Sequence, residues 1–279
     1  MSLHQEARRI LRAYGVTPRK RLGQNFLVDD EALGKLVSYA FLSADDLVLE
    51  VGAGLGFLTE RLADVADRVL AVEIDSSLVR ALRNRLEGRR NVTVLHGDIM
   101  KITVPHFDKV VSTPPYSISS ALLFWLLDRF FKLAVLTFQE EFARRLAAPV
   151  GSEHYGRLTV ASYCRSEVEL LDRIPHRCFQ PAPSVDSMIV RLRPRRIPFH
   201  IEDEKLFFEI VRVIFTQKNK KLRNAIMPFF GNLKIQKTDA VRLADSLPFH
   251  YRRPRELAPE EIGLTVNEIA KTIDKLGLR

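Results

Sequence analysis

Cysteine is scarce in this chain of 279 residues, which contains only Cys164 and Cys178. The two form no C-x-x-C motif, so the sequence predicts neither a disulfide framework nor a cysteine-based metal site. Their small number fits a protein of the reducing cytoplasm. The seven histidines form no H-x-x-H or H-E-x-x-H pattern, which disfavours a zinc enzyme. We therefore expect no metal in the chemistry of this protein.

Long hydrophobic runs are missing as well. The longest run, at 121–127, is much shorter than the roughly 20 apolar residues that a membrane-spanning helix needs. Residues 1–12 mix charged with apolar side chains and lack the apolar centre of a signal peptide. The sequence thus predicts a globular protein without a membrane partner, and a hydrophobic content of 46% is sufficient for a core.

Negative charge is in deficit, because 34 Asp and Glu face 43 Lys and Arg and give a formal net charge of +9. Such a surplus favours a polyanionic partner, with nucleic acid ahead of an anionic membrane surface. Any single basic cluster is also typical of an ordinary solvated surface. The clusters lie at 19–21, 144–145, 191–196, 218–223 and 252–255.

Strand-like and helix-like segments alternate up to about residue 196, which indicates an α/β fold with helices on both faces of a parallel sheet. Two later strands, at 167–174 and 187–193, are expected to form a terminal antiparallel hairpin. We predict a seven-stranded, mostly parallel sheet. The other predicted strands lie at 47–50, 68–73, 92–96, 109–112 and 134–138, with helices at 57–63, 77–86 and 119–130.

The segment 193–198 contains two prolines and three arginines and is interpreted as a linker. Beyond it the apolar pattern is helical. We therefore predict two domains, 1–196 with the sheet and 197–279 as a small all-helical domain. The helices of the second domain are expected at 204–215, 220–230, 239–246 and 265–276.

Closely spaced glycines follow the first predicted strand in Glu50-Val51-Gly52-Ala53-Gly54-Leu55-Gly56. A strand that ends in glycines and opens a helix is typical of a cofactor loop, because glycine lets the backbone approach a ligand. Phe57 stands where the dinucleotide fingerprint needs its third glycine. The pattern instead resembles the S-adenosylmethionine loop of Rossmann-like methyltransferases, with a plain strand-to-helix turn as the alternative. Gly52 and Gly54 are the expected cofactor contacts.

Acidic residues follow the next two strands, at the edge of a parallel sheet where ligands bind. Glu73 is expected to accept hydrogen bonds from both ribose hydroxyls of a bound nucleoside. Asp75 is the second candidate for this contact, or else the N-cap of the following helix. Asp98 can accept from the exocyclic amine of adenine, with a solvated turn aspartate as the alternative.

The fourth strand runs into Thr113-Pro114-Pro115-Tyr116, which is similar to the [N/D/S]-[P/I/L]-P-[Y/F/W] motif of amino-methyltransferases. The exocyclic nitrogen of adenine is a poor nucleophile because its lone pair is delocalised into the ring. We expect the Thr113 side chain and the Pro114 carbonyl to accept its hydrogens, while Tyr116 stacks on the extruded base. The rate enhancement would then come mostly from positioning the base and from electrostatic stabilisation. Phe179 is a second aromatic wall, or an ordinary core phenylalanine.

These segments, with Gln24-Asn25-Phe26-Leu27, Tyr155-Gly156-Arg157-Leu158 and Lys220-Lys221-Leu222-Arg223-Asn224, occur in the order and spacing of the ribosomal RNA adenine N6,N6-dimethyltransferases. The resemblance covers nearly the whole chain. It implies a Rossmann-like class I methyltransferase that uses S-adenosylmethionine, with Asn25 and Leu27 beside the amino-acid end of this cofactor and Thr113 near its methyl group.

The resemblance also implies a substrate. Two methyl groups would be transferred to each of two adjacent adenosines, in the hairpin near the 3′ end of small-subunit ribosomal RNA, during ribosome assembly. The partner would be a 30S-type assembly intermediate, bound in a cleft between the sheet edge and the helical domain. We expect a cytoplasmic monomer.

Two positions depart from the family pattern: Thr113 replaces the usual asparagine, and Glu140 stands where lysine is common. Thr113 leaves open a non-catalytic relative that binds RNA in ribosome assembly. An enzyme acting on large-subunit ribosomal RNA is the nearest alternative, although the length of the helical tail and Tyr155-Gly156 favour the small-subunit type. DNA adenine methylation is a further alternative, but the sequence contains no separate DNA-recognition module. No cysteine follows Pro114-Pro115, which disfavours a cytosine C5 enzyme.

Overall fold

The computed structural model describes residues 2–19 and 22–275. The chain forms two compact units. The first comprises Met1–Ala143 and Val168–Pro194, and the second comprises Arg144–Glu167 and Arg195–Arg279. Each unit has its own buried apolar cluster.

The first unit contains the predicted seven-stranded sheet, and the structure shows that its strands are in the order β4-β3-β2-β5-β6-β9-β7. Strands β2 to β6 run parallel, and β9 is antiparallel to β6. Strand order reverses between β2 and β5, which is where open α/β sheets bind ligands. The strands are β2 Leu47–Val51, β3 Arg68–Glu73, β4 Val92–His96, β5 Lys109–Ser112, β6 Leu133–Gln139, β7 Ser166–Ile174 and β9 Ser187–Pro194.

A second, two-stranded sheet was not expected from the sequence. Strand β1, Phe26–Leu27, pairs antiparallel with β8, Phe179–Gln180, so that Leu27 lies opposite Phe179. This pairing joins the Asn25 segment to the loop that carries Phe179.

The helices of the first unit begin where short polar side chains cap them. The Asp29 carboxylate accepts from the Ala32 N–H at 2.9 Å, and the Asp75 carboxylate accepts from the Ser77 N–H at 2.9 Å. The Ser2 hydroxyl caps a helix that we did not predict. These helices are α1 Leu3–Ala13, α2 Asp30–Tyr39, α3 Phe57–Ala63, α4 Ser76–Arg85, α5 Ser119–Leu127 and α6 Glu140–Leu146, the last of which continues into the second unit.

Helix α5 ends three residues before its predicted limit. The Asp128 N–H turns back to the carbonyls of Leu126 and Phe124, which closes the helix. Phe130, inside the predicted range, is 81% exposed.

The second unit is helical. The predicted helix at 220–230 is two helices, because Pro228 has no N–H with which to continue one helix and instead stands in the first turn of the next. The last helix begins six residues before the predicted start, and residue 276 of that prediction lies outside the described residues. The helices are α7 Arg157–Arg165, α8 Glu204–Ile214, α9 Leu222–Ala225, α10 Met227–Asn232, α11 Lys237–Ser246 and α12 Pro259–Lys275.

The compact units differ from the predicted domain ranges at Arg144–Glu167, which groups with the second unit. The reason is apolar burial, since Tyr155, Val160 and Cys164 belong to one buried cluster with Phe207 and Ile210. Over residues 2–19 and 22–275, no helix is both long and apolar enough to cross a bilayer.

Candidate active site

The glycine loop lies between β2 and α3 in a backbone conformation that other residues rarely adopt. Gly52 has a φ of 79° and Gly54 a φ of 57°. A Cβ atom on Gly52 would lie 2.9 Å from Cδ of Pro115, and one on Gly54 would lie 2.9 Å from Cδ1 of Phe26. Both glycines are thus required by the loop's own neighbours.

Glu73, at the end of β3, is held by backbone donors. Its Oε1 accepts from the N–H groups of Ile74 and Asp75, both at 2.8 Å, and its Oε2 accepts from the Gly54 N–H at 2.9 Å. Burial raises the pKa of the Glu73 carboxyl, and the backbone donors partly offset this. Glu73 therefore fixes the position of the glycine loop through the Gly54 N–H.

A cleft open to solvent lies above the loop, with an empty volume of about 580 Å³ including the part open to solvent. This size falls in the roughly 300–1,000 Å³ range of small-molecule sites. Six of the seven residues that were expected to contact the cofactor line this cleft, and Asp98 is the exception. Glu73 and Pro115 are part of the lining. The lining includes Asn25, Leu27, Gly52, Gly54 and Thr113.

Two buried polar atoms in this lining have no hydrogen-bond partner, namely Nε2 of Gln24 and Oε2 of Glu50. Buried polar groups are almost always paired. One unpaired donor and one unpaired acceptor in one cleft fit a ligand that carries both kinds of group, as an amino acid does.

Glu50 is 1% exposed at the end of β2. Burial raises the pKa of its carboxyl to about 8, and the neighbouring Glu73 carboxylate acts in the same direction. The Glu50 carboxyl is therefore protonated at neutral pH, which leaves its carbonyl oxygen as a hydrogen-bond acceptor.

Asp75 and Asp98 occupy different positions from Glu73. Asp75 caps α4 and lies 3.8 Å from an Arg19 guanidinium nitrogen, so it has the alternative role considered from the sequence. Asp98 accepts from the Met100 N–H at 3.0 Å and is not among the residues that line the cleft. Its contact with adenine stays a prediction.

The segment 113–116 follows β5 at the rim of the same cleft. Thr113 lines the cleft, Pro114 is buried, and Tyr116 begins a short 3₁₀ turn before α5. The Tyr116 hydroxyl lies 2.5 Å from the Ser187 hydroxyl. Burial raises the pKa of Tyr116, so the phenol stays protonated at neutral pH.

Phe179 lies against Tyr116 but leaves no gap for a base between the two rings. The ring centroids are 6.5 Å apart with an interplanar angle of 65°, an edge-to-face contact. Phe179 is only 2% exposed because β8 pairs with β1. A base between the two rings therefore requires them to move apart.

Ser112 joins the cofactor loop to the 113–116 segment. Its hydroxyl donates to the Val51 carbonyl at 2.5 Å and accepts from the Val51 N–H at 3.2 Å. Val51 precedes Gly52 and Ser112 precedes Thr113, so one buried side chain ties the two loops together where the strand order reverses.

Glu140 takes part in an ionic cluster that includes Asp186, whose charge helps to raise the pKa of Tyr116. The Arg173 guanidinium contacts Glu140 at 3.1 Å and Asp186 at 2.5 Å, and His176 Nδ1 lies 2.7 Å from the same aspartate. A lysine at 140 would place a second cation beside Arg173. The departure from the family pattern therefore has a local electrostatic consequence.

Sequence reasoning did not assign roles to Phe26, Glu50, Ser112 or Pro115. A signal existed for Glu50, because an acidic residue at the buried end of a strand needs a partner. Contacts of Phe26 and Pro115 with the glycines have no signature in the sequence.

In the described part of the chain, no group of three or more His, Cys, Asp and Glu side chains could hold a metal ion.

The profile of the family described as "Ribosomal RNA adenine dimethylase" matches residues 15–261. A protein of Methanosarcina mazei named "Probable ribosomal RNA small subunit methyltransferase A" is 43% identical over 264 residues, covering 94% of this chain and 96% of its own. One of the same name from Methanothermobacter thermautotrophicus is 39% identical, covering 98% of this chain and 97% of its own.

Two solved structures are similar over most of the chain. A dimethyladenosine transferase from Plasmodium falciparum superposes with a TM-score of 0.76 at 29% identity, covering 90% of this chain and 98% of its own. The 23S rRNA methyltransferase ErmE superposes with a TM-score of 0.67 at 29% identity, covering 88% and 100%. The predicted Rossmann-like methyltransferase fold is confirmed, and the chain belongs to the ribosomal RNA adenine dimethylase family.

Proposed function

We propose that this enzyme transfers methyl groups from S-adenosylmethionine to N6 of two adjacent adenosines in the 3′-terminal hairpin of small-subunit ribosomal RNA, during ribosome assembly. One observation carries the proposal: Thr113 and Pro115 of the target-base motif line the same cleft as the glycine loop and Glu73. A methyl donor and an acceptor nitrogen can therefore meet at one rim. The names of the relatives at about 40% identity favour the small-subunit substrate over a large-subunit one.

The lining of the cleft fits the proposed cofactor. Oε1 of Glu73 already accepts two N–H groups, whereas Oε2 accepts one, so Oε2 has acceptor capacity left for a ribose hydroxyl. The unpaired Gln24 amide and Glu50 carboxyl fit the carboxylate and ammonium of an amino acid. When bound, S-adenosylmethionine supplies an electrophilic methyl group on a sulfonium.

The protein's part in the reaction is to hold the base. The Thr113 hydroxyl and the Pro114 carbonyl accept the hydrogens of the adenine amine, which directs its lone pair towards the cleft. Tyr116 stacks on the base, and its phenol stays protonated. No side chain needs to act as a general base, because the methylated amine is acidic enough to lose its proton to water. The rate of methyl transfer then depends on how precisely the amine is held in line with the methyl group.

The Thr113 hydroxyl is expected to contribute to the rate. Thr113→Val keeps the shape and removes the acceptor, and should lower the methyl-transfer rate about 10-fold, the value of one hydrogen bond. Thr113→Asn adds a longer acceptor and should raise the rate. Single-turnover transfer of tritiated methyl groups measures both variants. Equal rates for wild type, valine and asparagine would exclude a role for this side chain.

Binding of RNA is expected to depend steeply on salt. If the basic clusters contact about six phosphates, affinity should fall roughly 1,000-fold between 50 and 200 mM salt as counterions are released. Titration of the protein with undermethylated small-subunit RNA at four salt concentrations measures the slope. A flat slope would contradict binding through these clusters.

Methyl transfer to small ribosomal subunits that lack the modification tests the whole proposal. We expect incorporation approaching four methyl groups per subunit, and none into fully modified subunits, which serve as the matched control. Incorporation only into large-subunit RNA would indicate the alternative substrate. Donor binding without incorporation into either would indicate a non-catalytic relative.

A further inference from the structure

Two basic segments of the second unit, about 30 residues apart in the sequence, are neighbours in the structure. The Leu222 N–H donates to the Arg252 carbonyl at 2.7 Å, and the Arg223 N–H donates to the His250 carbonyl at 3.0 Å. Backbone hydrogen bonds thus hold the start of α9 against the loop before α12. The basic residues of both segments share one surface.

An exposed aromatic ring stands on this surface. Tyr251 is 62% exposed, which is unusual for a large aromatic side chain that could instead be buried. The loop that carries it is tightly folded: Phe249 has a φ of 57°, and the Arg252 N–H donates to the Phe249 carbonyl at 2.9 Å. A bulky residue in the left-handed region is strained, and such strain is concentrated at functional sites.

The cations on this surface fall into two groups. Arg252 pairs with Glu261 at 2.5 Å, Arg223 pairs with Asp245 at 2.9 Å, and Lys218 donates to the Glu153 carbonyl at 2.7 Å. The two arginines are paired with carboxylates, and the ammonium of Lys218 is engaged by backbone carbonyls within the unit.

Of the four other cations in the two segments, Arg255 is half-buried. The remaining three are Lys220, Lys221 and Arg253. All are exposed, and none has an ion-pair partner among the described residues. The Glu256 carboxylate accepts from the Arg253 backbone N–H at 3.0 Å, which leaves the guanidinium unused. Together with Tyr251 they form what we call the Tyr251 surface.

We propose that the Tyr251 surface binds an unpaired segment of ribosomal RNA, with one base stacked on the Tyr251 ring and the three cations on neighbouring phosphates. This inference rests on the proposed function and adds a second RNA contact away from the target base. An exposed ring among unpaired cations is the arrangement that recognises single-stranded nucleic acid, because the ring stacks on a base while the cations neutralise the backbone. An acidic protein would use the cations but has no need of the ring.

The contributions of base stacking and of charge to RNA affinity can be separated, because only the charge contribution depends on salt. The full-length protein is titrated with protein-free, undermethylated small-subunit RNA at several salt concentrations. Tyr251→Ala and Tyr251→Leu should weaken binding about 5- to 100-fold with an unchanged salt slope, since stacking releases no counterion. Tyr251→Phe, the matched control, keeps the ring and should bind as wild type does. Lys221→Ala and Arg253→Ala should each reduce the slope by roughly 0.7 to 0.9.

Three results would overturn the inference. Wild-type affinity in Tyr251→Ala would exclude a contact, and weak binding by Tyr251→Phe would replace stacking with a hydroxyl contact. Weaker binding to assembled subunits but not to protein-free RNA would indicate a protein partner. Failure of the wild-type protein to bind RNA at all would instead contradict the proposed function. Thermal unfolding checks that the variants fold, and their affinity for S-adenosylmethionine should be unchanged.

Discussion

Replacing Tyr116 with alanine is expected to lower the single-turnover rate of methyl transfer roughly 100-fold or more, because a base without its stacking partner is displaced from the line of attack. Tyr116 is not among the residues that line the cofactor cleft. The affinity for S-adenosylmethionine should therefore stay near the wild-type value. Calorimetry for the donor and tritium incorporation for the rate measure the two effects separately.

The matched control is Tyr116→Phe, which keeps the ring and loses the hydroxyl bonded to Ser187 at 2.5 Å. One hydrogen bond changes a rate by about 10-fold at most. The phenylalanine variant should therefore lie much closer to wild type than the alanine variant. Equal loss in both would assign the function to the hydroxyl and contradict a stacking role.

Glu50→Gln is expected to stabilise the first unit at alkaline pH. The pKa of Glu50 is raised by burial from 4.5 to about 8, so the folded chain keeps a proton that the unfolded chain has already lost. The stability from this proton is fully present below about pH 4.5 and is lost as the pH rises through about 8. Between pH 5.5 and 8 the wild-type protein should lose about 3 kcal/mol through this residue.

The only tryptophan, Trp125, lies in α5 of the first unit, so its fluorescence follows the unfolding of that unit by urea. Glu50→Gln should remove most of the loss between pH 5.5 and 8. A smaller slope should remain, because burial raises the pKa of Glu73 as well. Glu87→Gln, at an exposed position, should unfold as wild type does. A wild-type slope in Glu50→Gln would show that Glu50 is ionised in the folded chain.

Short strands were the elements that the sequence predicted best. The strands at 68–73 and 109–112 have the predicted limits because each is a mostly buried apolar run, and the strand at 92–96 has them although it lies at the edge of the sheet. Strands β1 and β8 have two residues each, too few for any periodicity, and their pairing links segments about 150 residues apart. Helix α1 was not predicted, although the sequence carries its capping box at Ser2 and an apolar face at helical spacing that includes Leu3, Ala7, Ile10 and Leu11.

The candidate site also combines features that the sequence predicts with features that depend on the pairing of distant segments. Loop glycines and a strand-end acid are recognisable one at a time, because parallel strands deliver their last residues to one edge. Gly52, Gly54, Glu73 and Thr113 line one cleft accordingly. The edge-to-face position of Phe179 on Tyr116 depends on the pairing of distant segments, and no local pattern encodes it.

The order of residue types along the chain was enough to predict the methyltransferase sheet, which the structure confirms, together with a candidate cofactor loop and target-base motif, since these depend on spacing within single segments. Folding set the rest: the position of Glu50 in the cleft, the serine that ties the two loops, and the proton on Glu50. Those properties arise from burial and from contacts between segments far apart in the sequence, where neighbours and solvent access are products of the whole fold.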